Sequence, residues 1–200
     1  MEKHAADDKL LERVDHSKTI IGWKEWLSLP ELKIFFIKAK IDTGARTSAL
    51  HASSITIRHD HGHKIACFTI KPLPKRPDIV VSCEAPVIDE RVVSDSSGNR
   101  EKRFVIKSLL QIGGRDWPIE MTLANRETMS VKMLLGREAM KYLMVDPARV
   151  YLLGRPKNIS KTYGQTYRAH QRIAKKTTKT TKATKATKTK TRKSTGQVKL

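Results

Sequence analysis

The chain has 200 residues, 38% of them hydrophobic and 30% charged, which suits one ordinary domain with appendages. Its formal net charge of +20 suggests a nucleic-acid binder until that charge is located: Arg155–Leu200 carries 15 Lys and Arg and no acid. The 154 residues before it hold 25 basic and 20 acidic side chains, so nothing in their charge demands a polyanionic partner.

Cys67 and Cys83 are the only cysteines. They lie 16 apart without a CxxC or Cys/His pattern, which argues against a structural zinc site and for reduced thiols in a cytoplasmic protein. No stretch approaches the ~20 apolar residues of a membrane-spanning helix. The opening "MEKHAADDKLLERVDHSK" also lacks the apolar run of a secretion signal.

Residues 1–18 read as a flexible leader. From Thr19 to Gly154 short apolar runs alternate with turn signals, the pattern of a closed or folded all-β domain. "TIIGWKEWLSL" is broken by "LPEL", and "IFFIKAKID" and "SSITIRH" are β-rich. "HDHGHK" predicts a hairpin tip with Gly62 at positive φ, and "KIACFTIKPL" returns from it. "IVVSCEAPVI" and "ERVVSD" read as two strands before a turn at "SSGN". "KRFVIKSLLQIGG" and "RDWPIEMTLAN" predict a pair joined at Gly113–Gly114. One helix is expected over 136–146, where Ala139, Met140, Leu143 and Met144 share a face, and "PARVYLLG" reads as a last strand. Beyond it, 155–200 is a Lys/Thr-rich basic tail too poor in apolar residues to offset its ordering entropy, and it is expected to be disordered.

The most site-like stretch is "KAKIDTGARTSALHA" (38–52), an apolar strand running into Asp42, Thr43, Gly44 and Ala45. Asp-Thr-Gly after such a strand resembles the active-site turn of aspartic peptidases. The residue types fit that chemistry. Two carboxylates facing one water cannot both ionise, so one serves as general acid and the other as general base, and the pair titrates as a unit. Gly44 admits close approach of backbone to carboxylate, Thr43 can hold the turn by its hydroxyl, and Ala45 stays small. Without that chemistry the same four residues make an ordinary turn. "VKMLLGREAM" lies 94 residues further on and resembles the Gly-Arg element that supports the catalytic turn in single-lobed aspartic peptidases, here Gly136 and Arg137. Only one DTG is present, so the second acid must come from a second copy of the chain, a homodimer.

With "IGWKEWLSLPEL", "CEAPVIDERVV", "REKRFVIKSLLQIGGRDWPIEMTLANRETM" and "VDPARVYLLG" added, the chain resembles the retropepsin-like family long labelled "ATP-dependent zinc protease". Bacterial members accompany, or are fused to, a RimK-type ligase that adds glutamate to a ribosomal protein. The resemblance spans residues 20–154. It implies a retropepsin-like closed β-barrel over 19–154 with one short C-terminal helix, and a cytoplasmic aspartic endopeptidase centred on Asp42. It further implies a glutamate-modified ribosomal protein as substrate and the RimK-type ligase as partner. The label's zinc and ATP find no HExxH, no paired His/Cys at zinc spacing and no P-loop, so no cofactor is expected. One departure stands out. Retroviral relatives carry an acid just after the catalytic tetrapeptide that pairs with the arginine of the Gly-Arg element, whereas here Arg46 occupies that place. Either Glu138, Glu84 or Asp89 compensates, or the assembly differs.

Other candidates weigh less. His59, His61 and His63 alternate as metal ligands on a strand would, but Asp60 and Gly62 put them on a solvated turn. His51 is a cleft candidate beside Arg46, with a packed histidine as the plain alternative. Thr47 and Ser48 lack the His/Asp pattern of a serine hydrolase. Glu84, Asp89, Glu90 and Arg91 read as structural ion pairs, and Trp23, Trp26 and Trp117 as packing. The tail's lysines can follow RNA, ribosome or DNA phosphates by counterion release, and its lack of aromatics argues against base stacking. A non-catalytic binding module of the same fold, tethered to nucleic acid by that tail, is therefore the alternative to the peptidase.

Overall fold

The computed structural model describes residues 18–94, 98, 100–125, 131–159 and 161–164. The chain divides into Met1–Lys157 and Asn158–Leu200. In the second unit, where no element was expected, the described residues form one helical turn, with the Lys161 and Thr162 N–H groups donating to the Asn158 carbonyl at 2.9 and 3.0 Å. The leader (1–17) and the tail from 165 onward lie outside the described residues, as does most of "SSGN".

The first unit is nearly all β. Its strands are β1 (Thr19–Gly22), β2 (Lys24–Leu29), β3 (Ile34–Ile41), β4 (Ser48–His51), β5 (Ser53–Asp60), β6 (His63–Ile70), β7 (Val81–Ser94), β8 (Arg100–Ile112), β9 (Arg115–Ala124), β10 (Met133–Leu135) and β11 (Leu143–Asp146). Among the described residues β1 and β11 pair in parallel, and the other nine strands form one sheet in the order β2-β3-β10-β4-β9-β8-β7-β6-β5. A single bridge, Ser28 with Gln111, brings β2 back to β8. Alternation decides which side chains are inward. In β2, Glu25, Leu27 and Leu29 point in, and in β6 Ala66, Phe68 and Ile70 do. These join Ile34, Ile37, Leu50, Ile106, Leu110, Met121, Met133 and Leu135 in one core.

Turn chemistry explains the hairpins. His61 and Gly62 adopt φ of 46° and 82° between the paired Asp60 and His63, the two-residue left-handed turn that matches strand twist. Gly113 and Gly114 do the same between β8 and β9.

Three sequence expectations are corrected. "IVVSCEAPVI" and "ERVVSD" form one strand, not two. The first half of β7 pairs with β6, and the second pairs with β8 after a register shift between Val87 and Asp89. The expected helix over 136–146 shrinks to one 3₁₀ turn, Arg137–Met140, and Leu143–Asp146 is strand β11. Its backbone groups are engaged elsewhere. The Arg137 and Glu138 N–H groups donate to the Ala45 and Arg46 carbonyls, and the Ala139 carbonyl accepts from Trp117 Nε1 at 3.1 Å. "PARVYLLG" is not a strand but a run of turns bonded to the segment around β2. Trp23 N–H donates to the Arg149 carbonyl, and Tyr151 N–H to the Lys24 carbonyl.

Glu25 anchors that run. It is fully buried, and its Oε1 accepts the Gly22 N–H at 2.8 Å and the Leu152 N–H at 2.7 Å. Gly22 permits the approach, since a Cβ there would lie 2.4 Å from the Arg149 carbonyl oxygen. Cys83 is also buried, and that burial pushes its thiol up to about 12, with the nearby Lys33 charge opposing the shift. Glu25→Ala would take the acceptor from the buried Gly22 N–H and the half-buried Leu152 N–H and should lower stability by about 2–5 kcal/mol in urea unfolding. A loss below about 1 kcal/mol would deny it that clamping role.

Candidate active site

Asp42 follows β3 at the point where three strands meet. β10 runs parallel to β3 and antiparallel to β4, so it separates the two strands that flank the Asp42 turn. The chain therefore leaves β3, turns through Asp42–Thr47 over the end of β10, and comes back as β4. The Asp42 N–H donates to the Leu135 carbonyl at 2.9 Å, which ties the start of the turn to the last residue of β10.

The carboxylate organises its own turn. Its Oδ1 accepts the N–H groups of Gly44 and Ala45, both at 3.1 Å. A Cβ on residue 44 would sit 3.3 Å from that oxygen, so glycine keeps the approach open. Asp42 is half-buried, while Thr43 and Gly44 are exposed. The bonds that fix Thr43 run through its carbonyl. Arg137 holds it from the other side, with one Nη donating to the Thr43 and Gly44 carbonyls at 3.0 and 2.9 Å.

Gly136 makes this crossing. A Cβ there would lie 2.6 Å from the Thr47 carbonyl carbon and 2.8 Å from the Arg46 carbonyl oxygen. Its N–H donates to Ser48 Oγ at 3.1 Å, and the Ser48 carbonyl accepts the Thr122 hydroxyl at 3.3 Å. Ser48 is thus a buried positioning residue that sequence reasoning considered only as a nucleophile. The available signal was a small hydroxyl residue heading the strand after the turn.

Arg46 finds its carboxylate. Its Nε donates to Glu138 Oε1 at 2.7 Å, beside Arg137, so Glu138 rather than Glu84 or Asp89 balances the exchanged charge. Glu84 pairs with Arg58 at 3.1 Å and Asp89 with Arg91 at 2.7 Å, as structural ion pairs should. Glu90 lies between Lys102 and Lys64, and these partners hold its carboxyl at about 2.

The Asp42 turn borders a cleft of about 770 Å³, whose other wall comes from the end of the β7–β8 hairpin: Arg91, Val92, Val93, Ser94 and Arg103. Val92 is 62% exposed, an apolar side chain left on that wall. Ala45 and Arg46 line the cleft, while His51 does not; it is buried on β4, its N–H bonded to the Lys132 carbonyl at 2.8 Å. His59, His61 and His63 are exposed on the β5–β6 hairpin. Among the described residues no three His, Cys, Asp or Glu side chains converge as metal ligands, so the donor set does not fit a zinc ion.

The structure thus places a carboxylate in a glycine turn, braced by a strand and a guanidinium and bordering a cleft. Residues 20–156 match the model of the family described as "Retropepsin-like aspartic endopeptidase RimB", and the chain belongs to that family. Curated relatives share its sequence. One from Desulfotalea psychrophila named "Probable alpha-L-glutamate ligase" is 48% identical over 141 residues, and one of the same name from Shewanella halifaxensis is 42% identical over 144. These matches cover 70% and 72% of this chain but only 30% and 31% of the relatives' length. A crystal structure of a protein of unknown function from Legionella pneumophila aligns with a TM-score of 0.57 and 28% identity, covering 68% of this chain and 98% of that one.

Gly136→Ala should push the Arg46–Thr47 backbone off its seat and cost about 2 kcal/mol or more in urea unfolding. Wild-type stability in that variant would mean that the crossing is looser than drawn here.

Proposed function

We propose that this chain is a cytoplasmic aspartic endopeptidase acting as a homodimer, in which Asp42 meets Asp42 of the partner subunit across a shared water. The observation that carries the reading is the Asp42 carboxylate, held by the Gly44 and Ala45 N–H groups and braced by Arg137 beside an open cleft. One carboxyl enters ionised and takes a proton from the water as its oxygen adds to the peptide carbonyl carbon. The other, protonated, gives its proton to the carbonyl oxygen. Collapse of the resulting diol breaks the C–N bond: one carboxyl gives its proton to the leaving amine nitrogen while a diol hydroxyl returns a proton to the ionised carboxylate, so one proton is again shared for the next turnover. Thr43, Gly44 and Ala45 hold the turn while Gly136 and Arg137 support it. No cofactor enters these steps.

The names of the relatives support a substrate. A domain joined to glutamate-ligase sequence in longer proteins is well placed to act on what such a ligase makes, here a glutamate-modified ribosomal protein, with the ligase as partner. The basic tail supports a second reading. Its 15 Lys and Arg without an acid suit RNA, ribosome or DNA phosphates, either as the whole function of a non-catalytic module or as a tether that raises local substrate concentration.

Asp42→Asn should abolish cleavage, by about 10³-fold or more in kcat/KM, while the thermal unfolding midpoint stays within ~3 °C of wild type. Undiminished cleavage refutes the assignment, and so does a wild-type chain that cleaves while light scattering finds only monomer. Treatment with EDTA should leave the rate unchanged, whereas a chelator-sensitive activity would point to a metal hydrolase instead.

A further inference from the structure

A second cleft, of about 660 Å³, lies at the other end of β3 and shares no lining residue with the Asp42 cleft. Phe36 on its wall stands about 20 Å along the chain from Asp42. Trp26, Phe35 and Phe36 line it, all of them half-buried. Successive strand residues face opposite sides, so two neighbouring phenylalanines on one wall need a cause. Between the Leu27–Ile37 and Leu29–Ile34 pairings β2 has only Ser28, whereas β3 has both Phe35 and Phe36. This bulge lets both rings contribute to one wall. Cations stand among the rings. Lys38 Nζ lies 5.0 Å from the Trp26 ring centre and 5.7 Å from that of Tyr151, and the Arg155 guanidinium lies 5.0 Å from Tyr151. Arg115 and Arg155 line the cleft, with Asp116 as the acid among its described residues.

We infer that this cleft is a base-stacking site for single-stranded RNA, which works together with the basic tail. The inference deepens the second reading above and rests on it for the phosphate contacts. Arg155 and Pro156 line the cleft, and from them the chain runs on into a segment whose residues 155–200 carry 15 Lys and Arg and no acid. Those lysines suit phosphates, but no aromatic residue occurs from 174 to 197, so base faces need a platform elsewhere. Trp26, Phe35 and Phe36 supply it where the segment begins. Flat rings accept the face of any base, and the cations beside them add to the stack. Because the segment is joined to the cleft's rim, a strand held by its lysines meets the rings at a high effective concentration. A duplex does not fit, since its base faces already stack on one another. RNA is the single strand whose loops, bulges and ends offer unstacked bases to proteins. An apolar peptide would leave the surrounding cations unanswered.

The test is fluorescence anisotropy of the full chain with labelled strands of equal length and charge: oligoadenylate RNA, its DNA counterpart and an abasic strand. The RNA should bind about five- to a hundredfold more tightly than the abasic strand. That ratio should fall by about threefold or more in Trp26→Leu and in Phe36→Leu, which keep an apolar side chain but remove a ring. Near-UV circular dichroism checks folding. Should Trp26→Leu fail to fold, Phe36→Leu carries the test alone. Replacing the lysines between 175 and 193 by glutamine in the full chain should weaken every strand and keep the ratio. Equal affinity for RNA and the abasic strand, both lost in the glutamine variant, overturns the cleft and leaves the phosphate-binding tail standing. A ratio and affinities that the glutamine changes do not alter keep the cleft and remove the tail reading. A ratio that survives the ring substitutions in folded protein, or DNA bound more tightly than RNA, overturns the inference. No binding of any strand overturns both readings.

Discussion

The structure depends on one close backbone crossing, where Gly136 passes under Arg46–Thr47. Any side chain at 136 would occupy the space of the Thr47 carbonyl. Because none does, β10 slots between β3 and β4, and three kinds of bond close on the turn above it: backbone N–H to Ser48, backbone N–H to the Ala45 and Arg46 carbonyls, and the Arg137 guanidinium to the Thr43 and Gly44 carbonyls. The Asp42 carboxylate is then held by the N–H groups of its own turn. A carboxylate placed by loop contacts alone would wander, whereas this one is braced from its own turn and from the segment that follows β10.

The same crossing accounts for the missing helix. A helix over 136–146 would use the Ala139 and Tyr142 carbonyls for itself, but Trp117 Nε1 and the Thr19 N–H take them, while the Arg137 and Glu138 N–H groups, which a helix start leaves free, bond the Asp42 turn. The chain therefore stops after one 3₁₀ turn and satisfies its remaining backbone by pairing β11 with β1 in parallel. Trp117 seals the corner, bonded to the Ala139 carbonyl and set edge-on to Tyr142 with ring centroids 5.2 Å apart. Local periodicity lost to tertiary demand for hydrogen bonds.

Electrostatics around the site follow a rule of local compensation. Arg46 stands where the resemblance led to an acid being expected, and Glu138, the residue next to Arg137, supplies a carboxylate for it. Both side chains are largely exposed, and an ion pair of that kind contributes about 0–1 kcal/mol, so it is easily traded for another partner. The buried Glu25 marks the opposite extreme. There a carboxylate inside the core works as a fixed acceptor for two backbone donors and has no part in the cleft.

The strand-turn pattern, the hairpins at Gly62 and Gly113–Gly114, the Asp42 turn and its Gly136–Arg137 support were all legible in the sequence, because each rests on local chemistry: alternation, positive φ, or a short motif. The order of strands, the fusion of two predicted strands into β7, the loss of the helix, and the roles of Ser48, Glu25 and Glu138 were not. Each arises where residues tens of positions apart compete for the same backbone donors or the same space, as Gly136 and Thr47 do. The facing of Arg91 and Arg103 likewise depends on a register that shifts between Val87 and Asp89. A linear reading sees which groups are present, but only the packed chain decides which of them must share a partner.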